Sequence, residues 1–306
     1  MRSIKIILNP TAGRGYGARA EPELRRLLAQ EGVDFELVRT ERPWHAAELA
    51  EQAAGDGVDL VVAAGGDGTT HEVVNGLMTA AENGRAGESI LGVIPIGSGS
   101  DFAHTVGIPP DLLGSCHRLA HGQLRVVDVG RLTLPGPPFH SRFFDNTVNV
   151  GFGGVVSVEA RKIRFLRGTP LYLLAVLKAL VLHHDPLQVT IEYDEQEVAL
   201  LSLMICVANG SREGGGFFTA PDAEPDDGLF DLCITADVTR LQMLGLIPHF
   251  LKGTHTDLEP IDMARARRVV ISSESDLIAH VDGELLGAGS HRMEFELLPQ
   301  RLRVWC

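Results

Sequence analysis

Three short apolar runs, Ile4–Leu8, Leu60–Ala64 and Ile90–Ile94, each give way at once to a polar, glycine-bearing segment: Asn9–Gly17, Gly65–Glu72 and Pro95–Asp101. Helical spacing or helix-forming composition fills the intervals, at Ala18–Gln30 with Leu24, Leu27 and Leu28, at His45–Ala54 and at Thr70–Glu82, while Phe35–Arg39 alternates as a strand does. Apolar runs that alternate with helices are the pattern of parallel strands buried on both faces. Ligands of such sheets sit at the carboxyl ends of the strands. All three glycine-bearing segments fall there.

Past about Gly122 the texture changes. Leu124–Leu134, Arg142–Val150, Leu187–Tyr193, Val198–Ala208, Leu229–Ile234, Arg268–Ser272 and Leu277–Val281 read as strands parted by turn residues. This predicts a second, mainly antiparallel β domain over 124–292. The α/β domain covers 1–123, and the alternating tail from 293 to 306 is assigned to it.

With 306 residues the chain can bury two cores, and a formal charge of −13 argues against a nucleic-acid partner. Four scattered cysteines without a CxxC pair point to reduced thiols and a cytoplasmic protein. Ile4–Leu8 is too short for a signal-peptide core. The longest apolar stretch, Leu171–Leu182, carries Lys178 and falls short of the roughly 20 residues a membrane span needs.

The densest local signal is GGDGTTHE at 65–72. Glycines let backbone N–H groups approach phosphate oxygens, and the following helix adds its positive N-terminal end. Asp67 is placed to meet a metal ion or a hydroxyl. A tight strand-to-helix turn with a capping acid is the plainer account of this motif alone. NPTAGRGYG at 9–17 lacks the lysine of a Walker loop, and PIGSGSDFA at 95–103 repeats glycines, hydroxyls and an acid. Together the three point to a nucleotide-phosphate site.

The ordered set Asn9–Gly13, Gly65–Thr69, Gly97–Ala103, Asn146–Phe152, Pro221–Leu232 and Asp282–Glu284 resembles the diacylglycerol kinase catalytic-domain family of bacterial lipid kinases, to which sphingosine and ceramide kinases are related. The resemblance implies an NAD-kinase/phosphofructokinase-like α/β domain followed by a β-sandwich domain. It implies ATP contacts by Asn9, Pro10, Thr11, Ala12, Gly13, Thr40, Gly65, Gly66, Asp67, Gly68, Thr69, Thr70, His71, Glu72, Ser98 and Asp101. It further implies a structural magnesium site at Glu224, Asp227 and Leu229, linked to the catalytic region by Asp128, and a base at Glu284 or Asp282, with Glu284 favoured. Asp67 and Asp101 would lie near the phosphates and their magnesium. Ser98 and Ser100 stand where many relatives have Thr and Asn, and Gly153 replaces a frequent acid.

The activity so implied is transfer of the ATP γ-phosphate to a lipid hydroxyl, diacylglycerol giving phosphatidic acid. A soluble NAD-kinase-like enzyme and a non-catalytic lipid or nucleotide sensor are the alternatives. Arg161, Lys162, Arg164 and Arg167 precede the apolar Leu171–Leu182 helix, which suits peripheral docking on anionic lipid, although so apolar a helix also suits a core. Phe217-Phe218 is either a lipid-contacting loop or an inward-packed pair, and His183-His184 reads as a helix end. A homodimer is left open.

Overall fold

The computed structural model describes residues 2–84, 89–97, 99–135, 140–163, 165–166 and 168–306. Ser98, Arg164 and Arg167 lie outside them. Two compact units are present, Met1–Asp128 with Gln300–Cys306, and Val129–Pro299. The elements run β1 (Ile4–Leu8), α1 (Ala12–Gln30), β2 (Glu36–Arg39), α2 (His45–Gly55), β3 (Leu60–Gly65), α3 (Asp67–Glu82), β4 (Ile90–Pro95), α4 (Asp101–Thr105) and α5 (Leu112–His121). They continue β5 (Leu124–Leu134), β6 (His140–Phe144), β7 (Thr147–Gly151), α6 (Phe152–Lys162), α7 (Thr169–Leu182), β8 (Leu187–Tyr193), β9 (Gln196–Ala208), β10 (Arg212–Glu213), β11 (Phe217–Phe218) and β12 (Phe230–Ala236). Last come α8 (Arg240–Lys252), β13 (Ile261–Ala266), β14 (Arg268–Val281) and β15 (Glu284–Trp305).

In the first unit β4, β3, β1 and β2 are parallel neighbours in that order, and the end of the chain returns as a parallel strand beside β4, Val304 opposite Leu91. Leu24, Leu27 and Leu28 of α1 and Cys116 and Leu119 of α5 pack on Ile6, Leu8, Val62 and Ile94 of the sheet. Elsewhere in the unit α2 and α3 approach closely: a Cβ on Gly76 would lie 2.2 Å from the Ala47 carbonyl oxygen. The regular part of α1 starts only after Gly13, Arg14 and Gly15, all left-handed at φ 54°, 58° and 78°.

The second unit is antiparallel. Strands β7 and β8 each pair with both β9 and β14, at different stretches of those two long strands, and β12 and β13 extend the sheet beyond β9. The second half of β9, Leu203–Ala208, reads as an unbroken apolar run because both of its faces are covered there. Ile205 and Val207 join an inner core with Phe144, Phe230 and Phe295, while Met204, Cys206 and Ala208 meet α6, α7 and α8.

The two compact units divide at 128/129 and 299/300, inside β5 and β15, a few residues from the expected 123/124 and about 292/293. Two readings change. Arg142–Val150 is two strands, broken at Asp145-Asn146 where Asp282 captures the backbone. Arg268–Ser272 and Leu277–Val281 are one strand; the polar residues 273–276 between them mark a register shift against β15, not a turn.

Candidate active site

In the first unit the polar groups of the glycine-bearing loops tie those loops together. Asn9 donates through Nδ2 to Thr69 Oγ1 at 2.9 Å, and its Oδ1 accepts from the N–H and hydroxyl of Thr11 at 3.0 and 2.8 Å. Asp67, the first residue of α3, accepts the backbone N–H of Ser100 at 2.7 Å and of Asp101 at 2.6 Å. The Gly65 carbonyl accepts from the N–H groups of Ile96 and Gly97 at 2.7 and 3.1 Å. Such approach excludes side chains: a Cβ on Gly97 would stand 2.4 Å from the Gly66 Cα, and one on Gly13 would stand 2.5 Å from the Ile96 carbonyl oxygen.

Asn9, Pro10, Thr11, Ala12, Gly13, Gly65, Gly66, Asp67, Gly68, Thr69, Thr70 and Asp101 therefore form one contiguous cluster that contains the start of α3. The helix end favours an anion there. Thr40 borders its root, donating its N–H to the Leu8 carbonyl at 2.9 Å. Glu72 Oε2 accepts the Ala46 N–H at 3.0 Å, and the buried His71 ring stands edge-on to Trp44 at 5.7 Å. Asp128 is fully buried and accepts the Gln300 N–H at 2.7 Å, fastening β5 to the returning chain.

In the second unit the two acids of the DGE turn have different surroundings. Asp282, buried at φ 42°, accepts three backbone N–H groups, from Asp145 at 2.8 Å, Asn146 at 3.1 Å and Thr147 at 2.8 Å. The Glu284 side chain is 41% exposed and meets Arg161 at 3.3 Å. Position 282 holds the backbone, and position 284 presents a carboxylate to whatever approaches.

The acidic segment before β12 gathers oxygen donors. Asp227 Oδ1 accepts the Leu229 N–H at 3.0 Å, and Arg265 pairs with Asp227 Oδ2 and lies 3.5 Å from Asp231. Asp231 Oδ2 is buried without a hydrogen-bond partner, and burial, with the charges of Asp222 and Glu224, pushes its carboxyl up to about 6. An orphaned carboxylate oxygen among acids and carbonyls is a setting that a hard, oxygen-seeking cation relieves.

A partly open pocket lies among the helices of this unit, walled by Phe152, Val156, Tyr172, Val176, Phe217 and Ile247, with Glu213 and His280 among its few polar residues. Glu213 accepts from Asn149 Nδ2 at 2.8 Å and from the Thr147 hydroxyl at 3.3 Å. Burial, opposed by those bonds and reinforced by Asp282, raises its carboxyl to about 7. Thr147 in turn donates its N–H to Asp282, so the Glu213 side of the pocket is hydrogen-bonded to the DGE turn. Gly153 lines the same pocket, and a Cβ there would fall 2.1 Å from the Asn149 side chain.

Residues 3–132 match the model of the diacylglycerol kinase catalytic domain, and 146–306 match a YegS C-terminal, NAD kinase β-sandwich-like domain. The chain is 30% identical to a diacylglycerol kinase of Staphylococcus epidermidis over 92% of its own length and 86% of the relative's. It is 30% identical to one of Bacillus subtilis over 94% and 91%. The chain belongs to the diacylglycerol kinase family. Its fold agrees. A crystal structure of a diacylglycerol kinase from Bacillus anthracis superposes with a TM-score of 0.73 at 21% identity, over 99% of this chain and 96% of that one. An NAD kinase from Archaeoglobus fulgidus solved with ATP gives 0.53 at 12%, over 99% and 93%.

Glu213 and Arg265 belong to these sites and carry no sequence motif, while Asn149 lies within the Asn146–Phe152 segment without having been singled out. The triple glycine after Glu213, which lets β10 turn into β11, is the one sign that the segment is special. Of the basic residues before α7, Arg161 and Lys162 are engaged by Glu284 and Glu159. Phe217 packs inward as a pocket wall, and His183 ends α7.

Proposed function

We propose that the protein is a lipid kinase that transfers the γ-phosphate of ATP to a lipid hydroxyl, with diacylglycerol as acceptor and phosphatidic acid as product. The observation that carries this reading is the apolar pocket joined, through Glu213 and Thr147, to the turn that bears Glu284. A pocket with apolar walls and a few polar groups orients an amphiphile. Glu284 takes the proton from its hydroxyl, a task open to an exposed carboxylate within reach.

The loops of the first unit hold the triphosphate through backbone N–H groups and the start of α3, since phosphoryl transfer needs positioning and charge neutralisation above all. Ser98 belongs to this set by its place in the motif. Magnesium suits the oxygen donors of the second unit. Asp227, with Glu224 and Leu229 through their carbonyls, would hold it. Bound magnesium supplies charge compensation among these carboxylates.

No helix among the described residues is long and apolar enough to cross a membrane. Exposed Phe165 before α7, Val181 and Leu182 at its end, and Leu241 and Leu244 on α8 support peripheral attachment to a cytoplasmic membrane face.

The likeness to an NAD kinase keeps a soluble-nucleotide acceptor as the second reading; the apolar lining favours the lipid. The purified protein is offered labelled ATP and magnesium with diacylglycerol, phosphatidylglycerol, sphingosine, ceramide or NAD, and products are read by mass. Transfer to a lipid is expected. Transfer to NAD alone would overturn the proposal.

A further inference from the structure

Two histidines of α5, His117 and His121, stand one helical turn apart and therefore share a face. Their rings lie side by side with centroids 4.6 Å apart. Both point at one carboxylate: His117 Nδ1 is 3.1 Å from Glu31 Oε1, and His121 Nε2 is 2.8 Å from Glu31 Oε2. Glu31 is the residue that closes α1, its N–H bonded to the Leu27 carbonyl at 3.1 Å. Beneath this group the two helices are locked by Leu24, Leu27 and Leu28 against Cys116 and Leu119. The donors thus rise from two packed helices, a framework that holds ligands in place before an ion arrives.

We propose that Glu31, His117 and His121 form a binding site for a divalent transition metal of the zinc class. The three donor atoms all lie within 4.8 Å of one another. With ligand bonds of about 2.0–2.2 Å and Glu31 binding through both oxygens, the nitrogen-to-oxygen edges of 3.1 Å (His117 to Oε1) and 2.8 Å (His121 to Oε2) each subtend roughly a right angle at a shared ion. Two imidazoles and one carboxylate suit zinc, nickel or copper and not magnesium, which takes oxygen ligands. Both histidine side chains are more than half exposed, 64% and 57%, so an ion reaches them without rearrangement, and water completes its shell. Helix α1 begins at the first glycine-bearing loop and ends at Glu31, roughly 20 Å further along its axis. The ion therefore acts as a clip between α1 and α5, away from that loop.

Zinc chloride is titrated into the full-length protein by calorimetry, with melting temperature read in parallel, and His117→Ala, His121→Ala and the double variant are compared. Magnesium chloride serves as the contrasting ion. The chain's 12 histidines and four cysteines make this comparison necessary. Expected is one equivalent of zinc in the wild type with a raised melting temperature, at least about tenfold weaker binding in each single variant, and loss of the equivalent in the double variant. Magnesium should leave the double variant and the wild type equally shifted. The proposal falls if the wild type takes up no zinc, or if the double variant binds zinc as the wild type does.

Discussion

Asp67 Oδ1 stands 2.6 Å from the backbone nitrogen of Asp101, so the acid of the second glycine-bearing loop holds the third in place. Its other oxygen holds Ser100. Asp67→Ala removes two charge-assisted bonds, worth about 1.5–3 kcal/mol each before water replaces them. A loss of about 2–4 kcal/mol is expected, within the roughly 5–15 kcal/mol that keeps a domain folded. The variant should stay folded with a lower urea midpoint and weakened ATP binding. A wild-type midpoint together with wild-type ATP affinity would show that the contact does neither job.

Asp282 and Glu284 separate cleanly by substitution. Asp282→Asn cannot accept three N–H groups with one oxygen, and should destabilise by about 2–4 kcal/mol. Glu284→Gln touches only an exposed pair with Arg161, whose net worth is small. Its unfolding curve should match the wild type while transfer drops about a hundredfold to ten-thousandfold, the usual span for a general base. Full activity in Glu284→Gln would return the base assignment to Asp282.

The first unit was open to sequence reasoning because its strands are short, β3 and β4 are apolar on both faces, and glycine-bearing loops follow β1, β3 and β4. Gly65, Gly66 and Asp67 announce a strand end, a close approach and a helix start within three residues. The second unit yielded less. The polar residues 273–276 hid the continuity of β14, since a strand that runs on through exposed polar positions loses the alternation by which strands are recognised. Glu213 was invisible for a different reason: burial of a charged residue depends on distant segments, here Thr147 and Asn149, and leaves no local periodicity. The same holds for Arg265, whose significance arises only once Asp227 and Asp231 are beside it.

Gly97 tests whether the loop cluster has the shape that phosphate binding requires. A methyl group at this position would press into the Gly66 backbone, at 2.4 Å from its Cα. Neither backbone can yield without parting Gly65 from the N–H groups of Ile96 and Gly97. Gly97→Ala should therefore weaken ATP binding at least about tenfold, about 1.4 kcal/mol. Gly55→Ala, at the end of α2 where a Cβ meets nothing within 4 Å, should leave ATP affinity unchanged. Equal ATP affinity in the Gly97 variant would show that the two loops tolerate separation.

Glu213 carries the remaining prediction, and its sign follows from its surroundings. Burial raises its carboxyl from 4.5 to about 7, so the folded protein holds this proton more tightly than the unfolded chain does. The folded state is then favoured at low pH, and its advantage declines as pH climbs from about 4.5 to about 7, by up to about 3 kcal/mol. Glu213→Gln keeps an oxygen for Asn149 and offers an amide to the Thr147 hydroxyl, yet has no charge to desolvate. Its stability relative to the wild type should rise across that interval and level off above it, as followed by urea unfolding at a series of pH values. Because the same side chain lines the apolar pocket, the variant should also change the KM for lipid while leaving the KM for ATP alone. A pH-independent stability difference would show that Glu213 ionises as an ordinary surface acid, and an unchanged lipid KM would remove it from the acceptor pocket.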